Sequence, residues 1–254
     1  MKKQFPLLVV ALVVLGASCK KEPESPTPPG PSGAVGTPYE VDLPSYVPPM
    51  LIPGDNPLTE EGVRLGRFLF YEERLSGDNT MSCATCHSPA LAFADGQAVS
   101  VGIQGIAGTR SAMPLFNLGF SQHFFWDGRA PSLEAQAMDP VPNPVEMHQD
   151  WPSAVVKLQN DPAYPALFAD AFGSDAITPE RTTKALAQFM RTLVSFNSRF
   201  DRFKRGEIVL DANESMGLLM FQQEGGPSGQ QIPLAGGGFV VGQGGADCFH
   251  CHND

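Results

Sequence analysis

Two stretches of this chain carry Cys and His at a spacing with a specific chemical use. "SCATCH" holds Cys83, Cys86 and His87, and "DCFHCHND" holds Cys248, Cys251 and His252. Cys-x-x-Cys-His is the spacing that attaches a c-type haem: both thiols form thioethers, and the histidine becomes the proximal ligand of the iron. A bare Cys-x-x-Cys in an exported chain reads first as a redox or disulfide pair. The histidine directly after each pair turns both toward haem. Of the five cysteines only Cys19 stands outside the two motifs, so nothing is left over for a disulfide framework. The motifs imply two covalently bound haem c groups.

The N-terminus bears on compartment. Lys2 and Lys3 precede the apolar run Phe5 to Ala17, which is shorter than the roughly 20 residues a spanning helix needs and reads as a signal peptide over residues 1–18. Cys19 follows small residues, as in a lipoprotein signal, so lipidation at Cys19 would tether the protein to a membrane surface. The rest of residues 19–50 is rich in Pro, Ser and Gly and reads as a tether. Export to the periplasmic side of a membrane or the cell surface follows. The formal net charge of −10 disfavours nucleic acid and suits a basic partner protein.

Helices must position these groups, and no strand pattern is sustained. Thr59 to about Leu75 predicts a helix, with Glu60 and Glu61 in its first turn and Val63, Leu65, Phe68 and Leu69 as its apolar positions. Asp150 followed by Pro152 opens a helix running to about Gln159, and "NDPAYPALFADAF" predicts another with Pro162 near its start. "TPERTTKALAQFMRTLVSF" has Thr178 as cap and Pro179 in its first turn. Leu186, Phe189, Met190 and Leu193 recur there at three and four, which makes Met190 a core residue rather than an axial ligand. A last helix spans roughly Asp211 to Phe221, before a Gly-rich connector into the second motif. Residues 88–125 read as irregular chain wrapped around a cofactor.

One segment goes beyond haem counting: "FFWDGRAPSLEAQAMDPVPNPVEM", Phe124 to Met147. With the two flanking motifs, it resembles the bacterial di-haem cytochrome c peroxidase family, including its MauG-type branch, over about residues 55 to 254. The resemblance implies that His87 is proximal at a peroxide-reacting haem. It also implies that Trp126 lies between two haems, that Gln136 and Glu146 line the distal face, and that Cys248, Cys251 and His252 hold an electron-accepting haem. The chemistry of these types agrees: a carboxylate moves a proton between peroxide oxygens, and an amide hydrogen-bonds without titrating.

The chain departs from the family pattern in three places. Many members place a removable histidine ligand where this chain has Ile103, which cannot bind iron; His123, three residues before Trp126, is the remaining histidine nearby. That implies a first haem open to peroxide. An asparagine that helps bind calcium in the family is Ser111 here, a weaker ligand. Only Asn253 and Asp254 follow His252, where the family continues for another domain; the expectation is a fragment.

The fold class is thus mainly α, with two cytochrome c-like haem domains, the second truncated after its Cys-x-x-Cys-His motif. Residues 51–205 form the N-terminal haem domain and 206–254 the start of the second. The implied activity is reduction of hydrogen peroxide to water with electrons from a small donor, a c-type cytochrome or cupredoxin. MauG-like oxidation of a protein or organic substrate, and a non-catalytic di-haem electron carrier, remain as alternatives. Family members are often homodimers.

Overall fold

The structure, a computed structural model, describes residues 35–222 in full, the backbone of 231–233 and 239–241, and Cys248. The stretch read as a signal peptide, residues 1–18, and Cys19, Cys251 and His252 lie outside the described residues.

The organising contact is between two helices. In α1 (Glu60–Phe70), Thr59 caps the N-terminus by accepting from the Gly62 amide, and Glu60 and Glu61 face the positive end of the dipole. In α6 (Pro179–Arg191), Thr178 accepts from the Arg181 amide and Pro179 occupies the first turn. The two helices pack face to face because α1 presents glycine where α6 comes closest. A Cβ on Gly66 would overlap the Ala185 carbonyl oxygen, and one on Gly62 would overlap the Gln188 amide. Leu65, Leu69 and Phe70 from α1 and Leu186, Phe189 and Met190 from α6 then enter one core. Phe70 and Phe189 have ring centroids 5.2 Å apart.

Around this pair, α2 (Cys83–Cys86) carries the first motif, and α3 (Leu133–Met138) packs on α6 through Leu133 and Ala137. α4 (Trp151–Gln159) starts at its Asp150 cap, and α5 (Tyr164–Phe172) packs on α1. α7 (Arg199–Lys204) and α8 (Ala212–Gln222) follow. Residues 88–125 are irregular, with three-residue 3₁₀ turns and isolated bridges.

The first helix is shorter than the apolar pattern suggests. It ends at Phe70, and Glu73–Leu75 forms a separate 3₁₀ turn. Glu72 stops the run: its carboxylate accepts from the Arg74 amide and guanidinium and from the Tyr164 hydroxyl. Phe68, assigned to the buried face, is 49 % exposed, because Gly62 and Gly66 rather than Val63 and Phe68 face α6. The helix opened by Thr178 stops at Arg191, so Leu193 lies beyond it. Earlier in the chain, α5 starts at Tyr164, with Pro165 rather than Pro162 in its first turn. In the Gly-rich connector, β1 (Gln231–Pro233) and β2 (Phe239–Val241) pair antiparallel, a short hairpin absent from the sequence reading.

Part of the presumed tether belongs to the folded body. Thr37 donates its amide and hydroxyl to the Glu61 carboxylate at 2.8 and 3.0 Å, the Tyr39 amide bonds the Leu58 carbonyl, and Tyr46 donates to Asp201. Low hydrophobicity kept this stretch from reading as folded, but its polar groups have partners on α1 and α7.

A buried polar network ties the loop before α1 to α3 and α6. Gln188 accepts from the Thr59 amide at 3.0 Å and donates to Asn56 at 2.9 Å. Asn56 donates to Glu134 at 2.6 Å, and Arg191 grips Glu134 with both guanidinium arms at 2.6 and 3.1 Å. Burial works against the Glu134 charge, but Arg191 and Asn56 outweigh it and hold the carboxyl below its ordinary value.

Candidate functional site

The core opens beside α2 into a cavity of about 440 Å³, within the range of small-molecule and cofactor sites. Cys83, Cys86 and His87 line it, facing apolar side chains that include Phe70, Leu115, Phe124, Val141, Leu186 and Met190. Met190 is thus both a core residue of α6 and part of the cavity wall.

α2 is one turn long, and the Ser82 amide donates to the Thr85 hydroxyl at its start. Beyond it the chain doubles back: Ser88 donates to the Ala94 carbonyl, and the Phe93 amide to that of Ser88. Ala92 and Phe93 both hold left-handed backbone, with φ of 55° and 58°, a conformation costing non-glycine residues of order 1–3 kcal/mol each. The strain has a visible return, because it brings the Phe93 carbonyl to 2.7 Å from His87 Nδ1. Donation from Nδ1 leaves Nε2 as the free lone pair, the tautomer an iron ligand needs. Burial pushes His87 below its ordinary value, against the pull of the Phe93 and Met113 carbonyls, and so favours the neutral ring.

The thiols separate the two readings of Cys-x-x-Cys. Burial pushes Cys83 up to about 12 and raises Cys86 as well. A redox pair needs depressed thiols; these are raised instead, as suits attachment to an apolar group, and Cys83 and Cys86 are not joined in a disulfide. Cavity size, apolar wall, half-buried thiols and oriented imidazole all fit a covalently attached haem.

The groups that share the cavity with the motif come from two loops and a helix. Phe124 and Ala130 exchange backbone bonds at 2.9 and 3.3 Å, closing a hairpin in which Phe125 has φ of 65°. Trp126 sits at its tip, on the rim of the cavity and 61 % exposed, its indole N–H donating to the Ser111 carbonyl at 3.3 Å. Arg129 stacks 3.5 Å over the Phe125 ring and pairs with Asp127. Ser132 caps α3 by accepting from the Ala135 amide, and Gln136 reaches the cavity from that helix.

Glu146 lines the same cavity from the loop after α3. Its amide donates to the Asn143 carbonyl, its carbonyl accepts from the Ile103 amide at 2.8 Å, and its carboxylate accepts from Asn143 Nδ2 at 2.8 Å. Burial raises its carboxyl above the ordinary glutamate value, with the Asn143 bond and the Arg129 charge opposing. Gly102 allows the close approach of the 100–108 loop, since a Cβ there would overlap the Val145 carbonyl.

Cys83, Cys86, His87, Trp126, Gln136, Glu146 and Ser111 therefore share one cavity. Ile103 is buried beside Gly77 instead of lining it, and His123 is exposed outside it. Ser111 contributes its carbonyl to Trp126; among the described residues no group of three or more His, Cys, Asp or Glu side chains could hold a metal ion. Of the second motif only Cys248 is described. Sequence reasoning missed Asn143, Arg129 and the Phe93 carbonyl. Asn143 was legible two residues before the Val145–Glu146 pair in "NPVEM", whereas a backbone carbonyl leaves no residue signal.

The comparisons bear on the same segment. A family model described as di-haem cytochrome c peroxidase matches residues 60–208. The methylamine utilization protein MauG of Methylorubrum extorquens is 43 % identical over 176 residues, covering 68 % of this chain and 50 % of that protein. Cytochrome c peroxidase Ccp of Escherichia coli is 37 % identical over 173 residues, covering 67 % of this chain and 37 % of that one. Among solved structures, a MauG-like protein associated with microbial copper homeostasis aligns with a TM-score of 0.69 at 35 % identity, over 73 % of this chain and 55 % of that chain. The chain spans about half the length of the first of these curated relatives. The matched residues contain the helix of the first Cys-x-x-Cys-His motif, the strained loop that orients His87, and the hairpin, helix and loop that bring Trp126, Gln136 and Glu146 to one cavity, and on that match the chain belongs to the di-haem cytochrome c peroxidase family.

Proposed function

We propose that this protein reduces hydrogen peroxide to water with electrons from a small redox protein, a c-type cytochrome or a cupredoxin. One observation carries the reading: a half-buried carboxyl with a raised pKa, Glu146, shares a single cavity with the Cys-x-x-Cys-His motif. Cys83, Cys86 and His87 would hold the haem, which when bound supplies the redox-active iron. Cys248, Cys251 and His252 would hold a second haem as the point of electron entry.

The remaining chemistry belongs to the chain. Glu146 takes a proton from one peroxide oxygen and returns it to the other, so the departing oxygen leaves as water. Two electrons and two protons convert one peroxide into two waters. The Gln136 amide donates a hydrogen bond to the peroxide without changing charge, and the apolar wall excludes bulk water. Trp126 offers its indole π-system at the rim, where electrons from the second haem would arrive. Ile103 supplies no ligand, which leaves the site open to peroxide. Residues 51–205 would form this haem domain, 206–254 the start of the next, and 1–18 with Cys19 an export signal and lipid anchor on the periplasmic side. No helix among the described residues is long and apolar enough to cross a membrane.

A second reading, oxidation of a protein or organic substrate in the MauG manner, is favoured by the 43 % identity to MauG and by the exposure of Trp126 at the rim. Glu146→Gln tests the first. The variant should keep its haem content and Soret spectrum while the reaction with peroxide slows by about 10²–10⁴-fold; an unchanged rate removes Glu146 from its role.

A further inference from the structure

We infer that Asn143 is a positioning residue for Glu146, holding one carboxylate oxygen so that the other is presented to the cavity. The inference rests on the proposed role of Glu146 as the proton-moving group.

The geometry is a closed local frame. Asn143 Nδ2 donates to Glu146 Oε1 at 2.8 Å, and Asn143 Oδ1 accepts from the Val145 amide at 3.1 Å. The Asn143 carbonyl accepts from the amides of both Glu146 and His148 at 3.0 Å. One side chain thus bonds the turn with its oxygen and the carboxylate with its nitrogen, while its backbone closes the loop. From outside, the Ile103 amide pins the Glu146 carbonyl at 2.8 Å, and Gly102 lets that loop lie against Val145. Main chain and Oε1 are held, and Oε2 of Glu146 has no protein partner among the described residues. Asn143 itself lines the cavity with Glu146.

Glu146 also feels charge from each neighbouring element. Arg129, from the Phe124–Ala130 hairpin, favours ionisation; Asp139, just beyond α3, opposes it; and the carboxylate in turn raises the thiols of Cys83 and Cys86 on α2. The Asn143 amide works in the same direction as Arg129. Removing that donor, or replacing it with a negative charge, keeps Glu146 protonated to higher pH.

Asn143→Asp separates the two jobs of the side chain. It keeps an oxygen for the Val145 amide, so the turn survives, but it cannot donate to Glu146 when ionised. In the full-length, haem-loaded protein, Asn143→Asp should slow the peroxide reaction about tenfold at neutral pH, as expected for losing a hydrogen bond to a charged group. The acid limb of the pH–rate profile should move to higher pH, and the carboxylic-acid infrared band that Glu146→Gln abolishes should persist to higher pH. In the Glu146→Gln background, Asn143→Asp should change the rate no further, the non-additivity of two groups acting as one. Asn143→Ala removes the donor without adding charge, but also the acceptor of the Val145 amide, so it reads both jobs together.

Wild-type rate and wild-type acid limb in Asn143→Asp, with Glu146→Gln slow, would overturn the positioning role and leave the proposed chemistry standing. So would additive effects in the double variant. A Glu146→Gln protein as fast as wild type would instead overturn the reading on which this inference rests.

Discussion

At the scale of single residues, burial decides the chemistry. The same apolar wall raises the thiols of Cys83 and Cys86, lowers His87 and raises Glu146, because each charged form loses its hydration there. Neutral thiols and a neutral imidazole suit attachment of a macrocycle, and a raised carboxyl holds a proton more readily than an ordinary glutamate does. Glu146 must be ionised to accept a proton, so the peroxide reaction should slow as pH falls through its folded-state pKa. That midpoint should lie above the ordinary glutamate value of about 4.3. A pH–rate profile checks this, and an acid limb at or below the ordinary value would contradict it. The expected haem ligands were readable from two five-residue patterns, whereas the group that orients His87 was not. The Phe93 carbonyl reaches His87 only because two non-glycine residues take left-handed backbone, and no residue type announces that.

At the scale of elements, helix caps and glycines explain the layout. The Thr59, Asp150 and Thr178 caps were all legible, since a hydroxyl or carboxylate followed by a helix-forming run satisfies otherwise orphaned amides. The orientation of α1 was not legible. Its apolar residues suggested a face that includes Phe68, yet the helix turns its glycines inward, where the lack of a side chain lets α6 come to close contact and leaves Phe68 half exposed. Gly66→Ala should therefore destabilise the fold by more than the roughly 1–3 kcal/mol of ordinary overpacking, because its new methyl meets the backbone of Ala185. A shift in the urea midpoint with unchanged m-value measures it. The short α3 and α7 escaped notice because six residues hold too little periodicity to stand above background.

For the whole molecule, the Thr59–Gln188–Asn56–Glu134–Arg191 network joins the entry segment, α3 and α6, the last two of which carry cavity wall. Arg191 is 4 % exposed, so removing its partner leaves a buried cation. Glu134→Ala should cost about 3–5 kcal/mol at neutral pH. The folded-state pKa of Glu134 is depressed, so its contribution is fully present above the unfolded value of about 4.3 and is lost as pH falls through the lower folded value. The stability gap between wild type and variant should therefore narrow under acid, as denaturant melts at neutral and acid pH would show. Glu146 carries the opposite sign: its raised carboxyl loses a little stability as pH rises from the ordinary value through its own.

The expectation of covalently attached haem came from the sequence alone. Cys-x-x-Cys-His is a local spacing, and the thioethers and the proximal ligand need no distant residue to be recognised. Mainly helical class and the main caps were local as well, because periodicity and capping act within a few residues. Only the tertiary structure decided that Glu146 and the first motif, some sixty residues apart in the chain, open on one cavity. It also decided that Trp126 stands at the rim rather than in the core, and that Ile103 turns away while its amide holds Glu146. Those outcomes depend on loop closure and backbone strain summed over the irregular segment between α2 and α4, where no periodic pattern records which groups will meet.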